Sequence, residues 1–354
     1  MKKALILFVA VLAGVTGCAT RQGRGLEGVD LQQKQVSYSF HLPELSPEIQ
    51  AQILALDPTH ITDRELQEVL ASAPAPRIIS IHGGILPIHT TMVSFAEFLV
   101  GMGYPRPSLV NPADGTYAFS CYESSETLAG MIAWYYEKEG LRPMIVGHSQ
   151  GGMLAVKVLY KLDGRTAERL QVWSPLTGEP EPREELIDPL TGDTRPVVGL
   201  QLPYVTVVGA GGLARFLPHQ WPLLGRLRKI PDSTEEFAGF YKGFDLLGGD
   251  FLGYGSANES EPINGAAVRC VRLPWWYNHN TIPDTRHLLA SPQIKTWVQG
   301  YHPTDPPMAQ APAFEAESTN ILWAAEVWYS IKKHWVLELQ RFIRARLMLA
   351  QSQS

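Results

Sequence analysis

The stretch Gly147 to Gly151, Gly-His-Ser-Gln-Gly, joins two segments of different periodicity, and that junction constrains the chain more than any other feature. Before it, Met144 to Val146 is apolar on both faces, as in a strand covered from two sides. After it, Leu154, Val158 and Leu159 fall on one face of a helix. A strand that turns at once into a helix bends sharply, and side chains at 147 or 151 would strike neighbouring elements. Ser149 stands at the apex of that bend. Its hydroxyl meets the start of the helix, where the first N–H groups, beginning with that of Gln150, can stabilise a developing oxyanion. The plainer alternative is a turn whose serine only caps the helix.

The rest of the chain has the alternation that such a junction needs. "RIISI" (77–81), "SLV" (108–110), "LQVW" (170–173), "YVTVV" (204–208) and "AVRCVRL" (267–273) read as further strands. Between them, "SSETLAGMIAWYYEKEG" reads as a helix capped by Ser124 or Ser125, with Leu128, Met131, Ile132 and Tyr135 at helical spacing and Gly140 as its stop. Strands alternating with helices predict an α/β fold, a mostly parallel central sheet flanked by helices.

Residues 19–75 hold helical patterns near 47–55 and 63–71 and end in "APAP", which predicts a brace on the main domain of residues 76–304. Within that domain, residues 211–243 form an apolar insertion with Leu213, Phe216, Leu217, Trp221, Leu223 and Leu224. It reads equally as a lid over an apolar pocket and as plain packing. Residues 305–354 read as a linker and an amphipathic C-terminal helix. Its stripe of Trp323, Trp328, Trp335 and Phe342, with Lys332, Lys333, Arg341, Arg344 and Arg346, suits a bilayer, a partner's groove or the domain's own core, the last being commonest.

At the N-terminus, Lys2 and Lys3 precede an apolar run from Ala4 to Val15 that is too short for a span of about 20 residues and has the zones of an export signal. Its "VTGC" closure resembles the lipobox of bacterial lipoproteins. That resemblance implies a signal peptide over residues 1–18, a lipid anchor on Cys18, the membrane as partner and, with Ala19 after the cysteine, the periplasmic face of the outer membrane. Cys121 and Cys270 are compatible with one disulfide or two thiols. A net charge of -5 carries no basic signature for nucleic acid. Neither C-x-x-C nor H-E-x-x-H spacing occurs, and no metal or organic cofactor is expected.

Upstream of the elbow, "IHGG" (81–84) ends the first clear strand. Gly83 and Gly84 let backbone approach a ligand closely, Gly84 is the expected second oxyanion donor, and His82 reads as shaping the loop rather than as a base. With "HGG" here and "GHSQGG" at the elbow, the chain resembles the α/β-hydrolase superfamily, in its bacterial lipase and esterase branch, over roughly residues 75–300. The resemblance implies an α/β-hydrolase fold, a nucleophilic Ser149, and partners in the chain order Ser, Asp or Glu, His.

No carboxylate immediately follows "YVTVVGAGG". "GGDFLGYGSAN" is similar to the lipase stretch in which an Asp lies among small residues, so Asp250 is taken as the acid, with Asp245 as the alternative. Thr281 to Asp284 has capping-box spacing, which would start a helix there and leave His279 in the preceding loop. His279 is therefore the expected base and His287 the alternative. A zinc site joining these histidines to Asp284 is a third reading, without a recognisable ligand spacing. The expected function is a serine hydrolase acting on hydrophobic or lipid-like carboxylic esters. The alternative is a non-catalytic envelope lipoprotein that uses the fold as a binding or scaffold module.

Overall fold

The computed structural model describes residues 44–84, 88–211, 218–248, 250, 253, 258–303 and 319–352. Cys18 with the residues before it, and Leu213, Phe216 and Leu217, lie outside the described residues. Five strands form the central sheet: β1 (Ile78–Ile81), β2 (Met144–His148), β3 (Leu202–Val208), β4 (Thr234–Lys242) and β5 (Ala267–Leu273). They lie side by side in chain order, and every pairing is parallel. The helices are α1 (Pro47–Ala55), α2 (Asp63–Glu68), α3 (Ile88–Gly101), α4 (Ser125–Glu139), α5 (Gln150–Leu162), α6 (Pro292–Gln299) and α7 (Ile321–Ser352).

The period-two alternation of the strands sorts these helices onto two faces. Ile79, Ile81, Ile145, Val205, Val207 and Phe237 share a core with α4 and α5. Ile78, Met144, Val146, Tyr204, Val208 and Phe240 share the other with α3 and α7. Both faces are thus covered, which is why β1, β2 and β3 are almost wholly apolar. Ser124 caps α4 by accepting from the Thr127 N–H, and Gly140 stops it at φ 78°.

The connection from β1 to β2 places the functional crevice. Past β1, Phe119 forms a parallel bridge with Ile81 on the edge away from β2, through its N–H to the Ser80 carbonyl (2.7 Å) and the His82 N–H to its own carbonyl (3.2 Å). The chain then crosses back through α4 to enter β2 on the opposite side of β1. The loops after β1 and β2 therefore diverge at the carboxyl edge of the sheet, and such a switch point leaves a crevice for a ligand.

Several expectations differ from what forms. "SLV" holds the end of a single-turn helix (Arg106–Ser108), and "LQVW" contributes only Trp173 to a short hairpin. The sequence reading of 211–243 as one insertion is corrected by β4, a central strand within it. Glu235 and Glu236 hide that strand from local pattern. Each is neutralised from afar, Glu235 by Arg142 (2.8 Å) and Glu236 by Lys333 (2.6 Å) and His334 (3.1 Å) of α7.

The C-terminal stripe turns inward. Trp323, Trp328, Trp335 and Phe342 are all fully buried, so the stripe packs on the sheet and is not presented to a bilayer. Its cations are engaged within the protein: Lys332 donates to the Gln299 carbonyl (2.7 Å), Lys333 pairs with Glu236, and Arg341 with Glu338 (2.7 Å). The brace is tied to the same helix. Gln340 donates to the carbonyls of Ile53 (3.0 Å) and Leu56 (2.9 Å), and the Trp335 indole to that of Pro74 (2.8 Å). Cys121 is buried and Cys270 half-buried, both as thiols. Among the described residues no helix is long and apolar enough to cross a membrane.

Candidate active site

At the carboxyl end of β2 the chain turns into α5 within one residue. Ser149 takes φ 52° and ψ −118°, a conformation that costs a residue with a side chain on the order of 1–3 kcal/mol. Its N–H donates to the Val208 carbonyl (2.8 Å), and its own carbonyl accepts from the Gly152 N–H (3.0 Å), so both sides of the strained peptide are held. The flanking glycines are required for clearance. A Cβ on Gly147 would lie 2.7 Å from the Gly152 Cα, and one on Gly151 would overlap the Ile81 and His82 carbonyls at the end of β1. The spacing in the sequence is thus the spacing of a close approach between the elbow and β1.

The Ser149 hydroxyl lies 3.0 Å from Nε2 of His279. His279 opens a single-turn helix, His279–Thr281, after β5 and is buried. The capping box expected from Thr281 does not form; Asn278 caps this turn instead, accepting from the Asn280 N–H. Three contacts set the ring. Nδ1 meets Asp245 Oδ2 at 2.8 Å, the ring lies over Gly209, where a Cβ would come within 2.6 Å of Cε1, and the His279 carbonyl accepts from His148 Nε2 at 2.8 Å.

The acid brought to the histidine is Asp245, not Asp250. Asp245 follows β4 by three residues and also accepts the Gly248 N–H (2.8 Å). Burial raises the pKa of its carboxyl, but the hydrogen bond and charge of His279, the Gly248 N–H and the charge of Lys242 outweigh burial and hold it below the usual carboxylate value. Asp250 is also buried, yet it joins Asp245 only through its backbone N–H (2.8 Å), and its Oδ2 has no hydrogen-bond partner. The turn between them brings the Asp245 carboxylate, the one nearer the strand end, to the His279 ring.

His287 is exposed, and its Nε2 meets the Thr319 carbonyl at 3.0 Å. Asp284 accepts from the Ser94 hydroxyl (2.6 Å). These two are not brought to His279, and among the described residues no group of three His, Cys, Asp or Glu is placed to hold a metal ion.

Gln150 and Gly84, expected as oxyanion donors, are neighbours through the Gln150 side chain. Gln150 is the first residue of α5 and is buried, and its side chain packs directly on Gly84. The Gly84 carbonyl accepts from the Tyr122 hydroxyl (2.9 Å), which fixes that peptide beside the elbow. His82 lies in the same loop with its Nδ1 2.7 Å from the Gly83 carbonyl, in accord with a loop-shaping role.

Two residues absent from the sequence reading support the site: Tyr122, and His148 at the centre of the motif. Burial, then the charge of His279, push the His148 pKa down to about 3, so it stays neutral and donates Nε2–H to the His279 carbonyl. The sign of that shift has a consequence for stability. Between about pH 6.5, where an unfolded histidine titrates, and about 3, the unfolded chain binds a proton that the fold refuses, so stability falls as pH drops through this window. His148→Gln, which keeps an N–H for the His279 carbonyl, is expected to flatten unfolding free energy against pH by about 1.4 kcal/mol per unit between roughly pH 4.5 and 6. Urea denaturation across that range measures it, and an unchanged slope would place the refused proton elsewhere.

Charge, clearance and hydrogen bonding together leave a hydroxyl aimed at a histidine that is itself aimed by a buried carboxylate. Such a group can remove a proton from the hydroxyl and return it to a leaving group. Comparison with protein-family models, with curated proteins and with solved structures finds no match to this chain.

Proposed function

We propose that this chain is a serine hydrolase of carboxylic esters on the α/β-hydrolase plan, with Ser149 as nucleophile, His279 as base and Asp245 as the acid that orients it. The observation that carries the reading is one unbroken relay: Ser149 Oγ to His279 Nε2 at 3.0 Å, and His279 Nδ1 to Asp245 Oδ2 at 2.8 Å. The chain order Ser149, Asp245, His279 agrees with it.

In this mechanism Asp245 accepts a hydrogen bond from the Nδ1–H, which keeps the proton on Nδ1 and leaves Nε2 as the acceptor for the Ser149 proton. Ser149 Oγ attacks the ester carbonyl, and the N–H groups of Gln150 and the Gly84 loop receive the oxyanion. His279 passes its proton to the departing alcohol. A water that gives its proton to His279 then attacks the acyl-serine, and collapse returns that proton to Ser149 Oγ with release of the carboxylic acid.

The experiment is covalent labelling of the folded full chain with a fluorophosphonate, in which Ser149 Oγ forms a bond to phosphorus and fluoride leaves. Peptide mapping is expected to find the adduct on Ser149. A folded chain that takes no adduct, with or without detergent, would overturn the reading in favour of a binding module.

A further inference from the structure

Beside the proposed site, the loops after β4 and β5 expose large apolar side chains. β4 and β5 pair with Lys242 opposite Leu273, so these loops leave the sheet next to one another. The first presents Phe244 and Leu246, 66% and 59% exposed, and the second Trp275 and Trp276, 67% and 60% exposed. Asp245 turns inward to His279, which directs the residues on either side of it outward. Phe244 holds φ 56°, costly for an aromatic residue, and its ring lies over Gly253. Lys242 Nζ donates to the Trp275 carbonyl (3.3 Å), tying the loops together, and the two indoles meet edge to face with centroids 6.0 Å apart.

We propose that these two loops dock on an anionic lipid–water interface. The flanking charge selects that occupant. Lys242 and Arg272 stand at the base of the loops, and their hydrogen bonds run to backbone carbonyls, of Trp275 and Gly253. Among the described residues neither forms an ion pair, and Glu259 of the neighbouring segment instead accepts from Tyr241 (3.1 Å). Exposed indoles beside cations that form no ion pair among the described residues match the acyl boundary and the anionic head groups of a membrane surface. A protein partner is a poorer match: the four side chains expose on the order of 500 Å², short of the roughly 800 Å² that each side of a stable protein interface buries.

The docking claim stands apart from catalysis, so its test uses the full chain carrying Ser149→Ala and leaves the hydrolase reading untouched if it fails. The chain is mixed with vesicles of phosphatidylglycerol or phosphatidylcholine brominated along the acyl chains. Tryptophan fluorescence is expected to be quenched by the anionic vesicles. Trp275→Phe with Trp276→Phe is expected to remove most of that quenching while binding persists, because phenylalanine keeps the apolar contact. Lys242→Gln and Arg272→Gln are each expected to lower partitioning about five-fold. Quenching that survives the double Phe replacement would overturn the proposal, as would equal quenching by both lipids. So would lipid-free self-association abolished by Trp275→Ser with Trp276→Ser, which would make a second copy the occupant.

Discussion

Ser149→Ala is expected to lower ester turnover by on the order of 10⁶-fold, almost wholly in kcat. In the proposed mechanism the change removes the one atom that would form the covalent bond and leaves Gln150 and the Gly84 loop in place. His279 can still activate a water, but nothing on the elbow holds a water where Oγ stands, 3.0 Å from Nε2. A companion variant separates chemistry from folding. Ser149→Gly should lose the same turnover yet unfold at higher urea, because glycine occupies φ 52° without strain and so returns roughly 1 kcal/mol. Steady-state kinetics and denaturation on the three proteins measure both effects. If Ser149→Ala kept more than a small fraction of turnover, the nucleophile would have to be another group.

Asp245→Asn is expected to reduce kcat by on the order of 10⁴-fold, whereas Asp250→Asn leaves it almost unchanged. An asparagine at 245 can donate to Nδ1 as well as accept from it. The ring is then stabilised with its proton on Nε2, the wrong nitrogen to receive one from Ser149. Asp250 contributes its backbone N–H to the turn, and that bond survives the substitution. The pair of variants thus discriminates the two carboxylates directly. A large loss in Asp250→Asn with none in Asp245→Asn would reverse the assignment.

The elbow was legible because its constraints are local. Gly147, Ser149 and Gly151 lie within one turn of chain, and the strand before them and helix after them show their own periodicities. His279 was chosen for a reason that does not hold, since Thr281 does not cap a helix; its place after β5 was the sounder signal. Asp250 was preferred to Asp245 because β4 was unread. Without a strand ending at Lys242, nothing marked Asp245 above Asp250. With it, Asp245 is the first acid beyond a strand end, where such a residue belongs. The strand itself could not be read locally, because Glu236 is held in it by Lys333 and His334, 97 and 98 residues downstream. Burial of the C-terminal tryptophans has the same origin: an apolar stripe states that it must be covered, not by what.

The helix α7 also orders events in time. With α3 it covers one face of the sheet, and the brace clasps it through Gln340 and Trp335. A chain emerging from the ribosome therefore completes β1 to β5 while Tyr204, Phe240 and their neighbours still lack their cover. That face is closed only once residues 321–352 have been made, so until then these strands present an adhesive apolar surface to other chains.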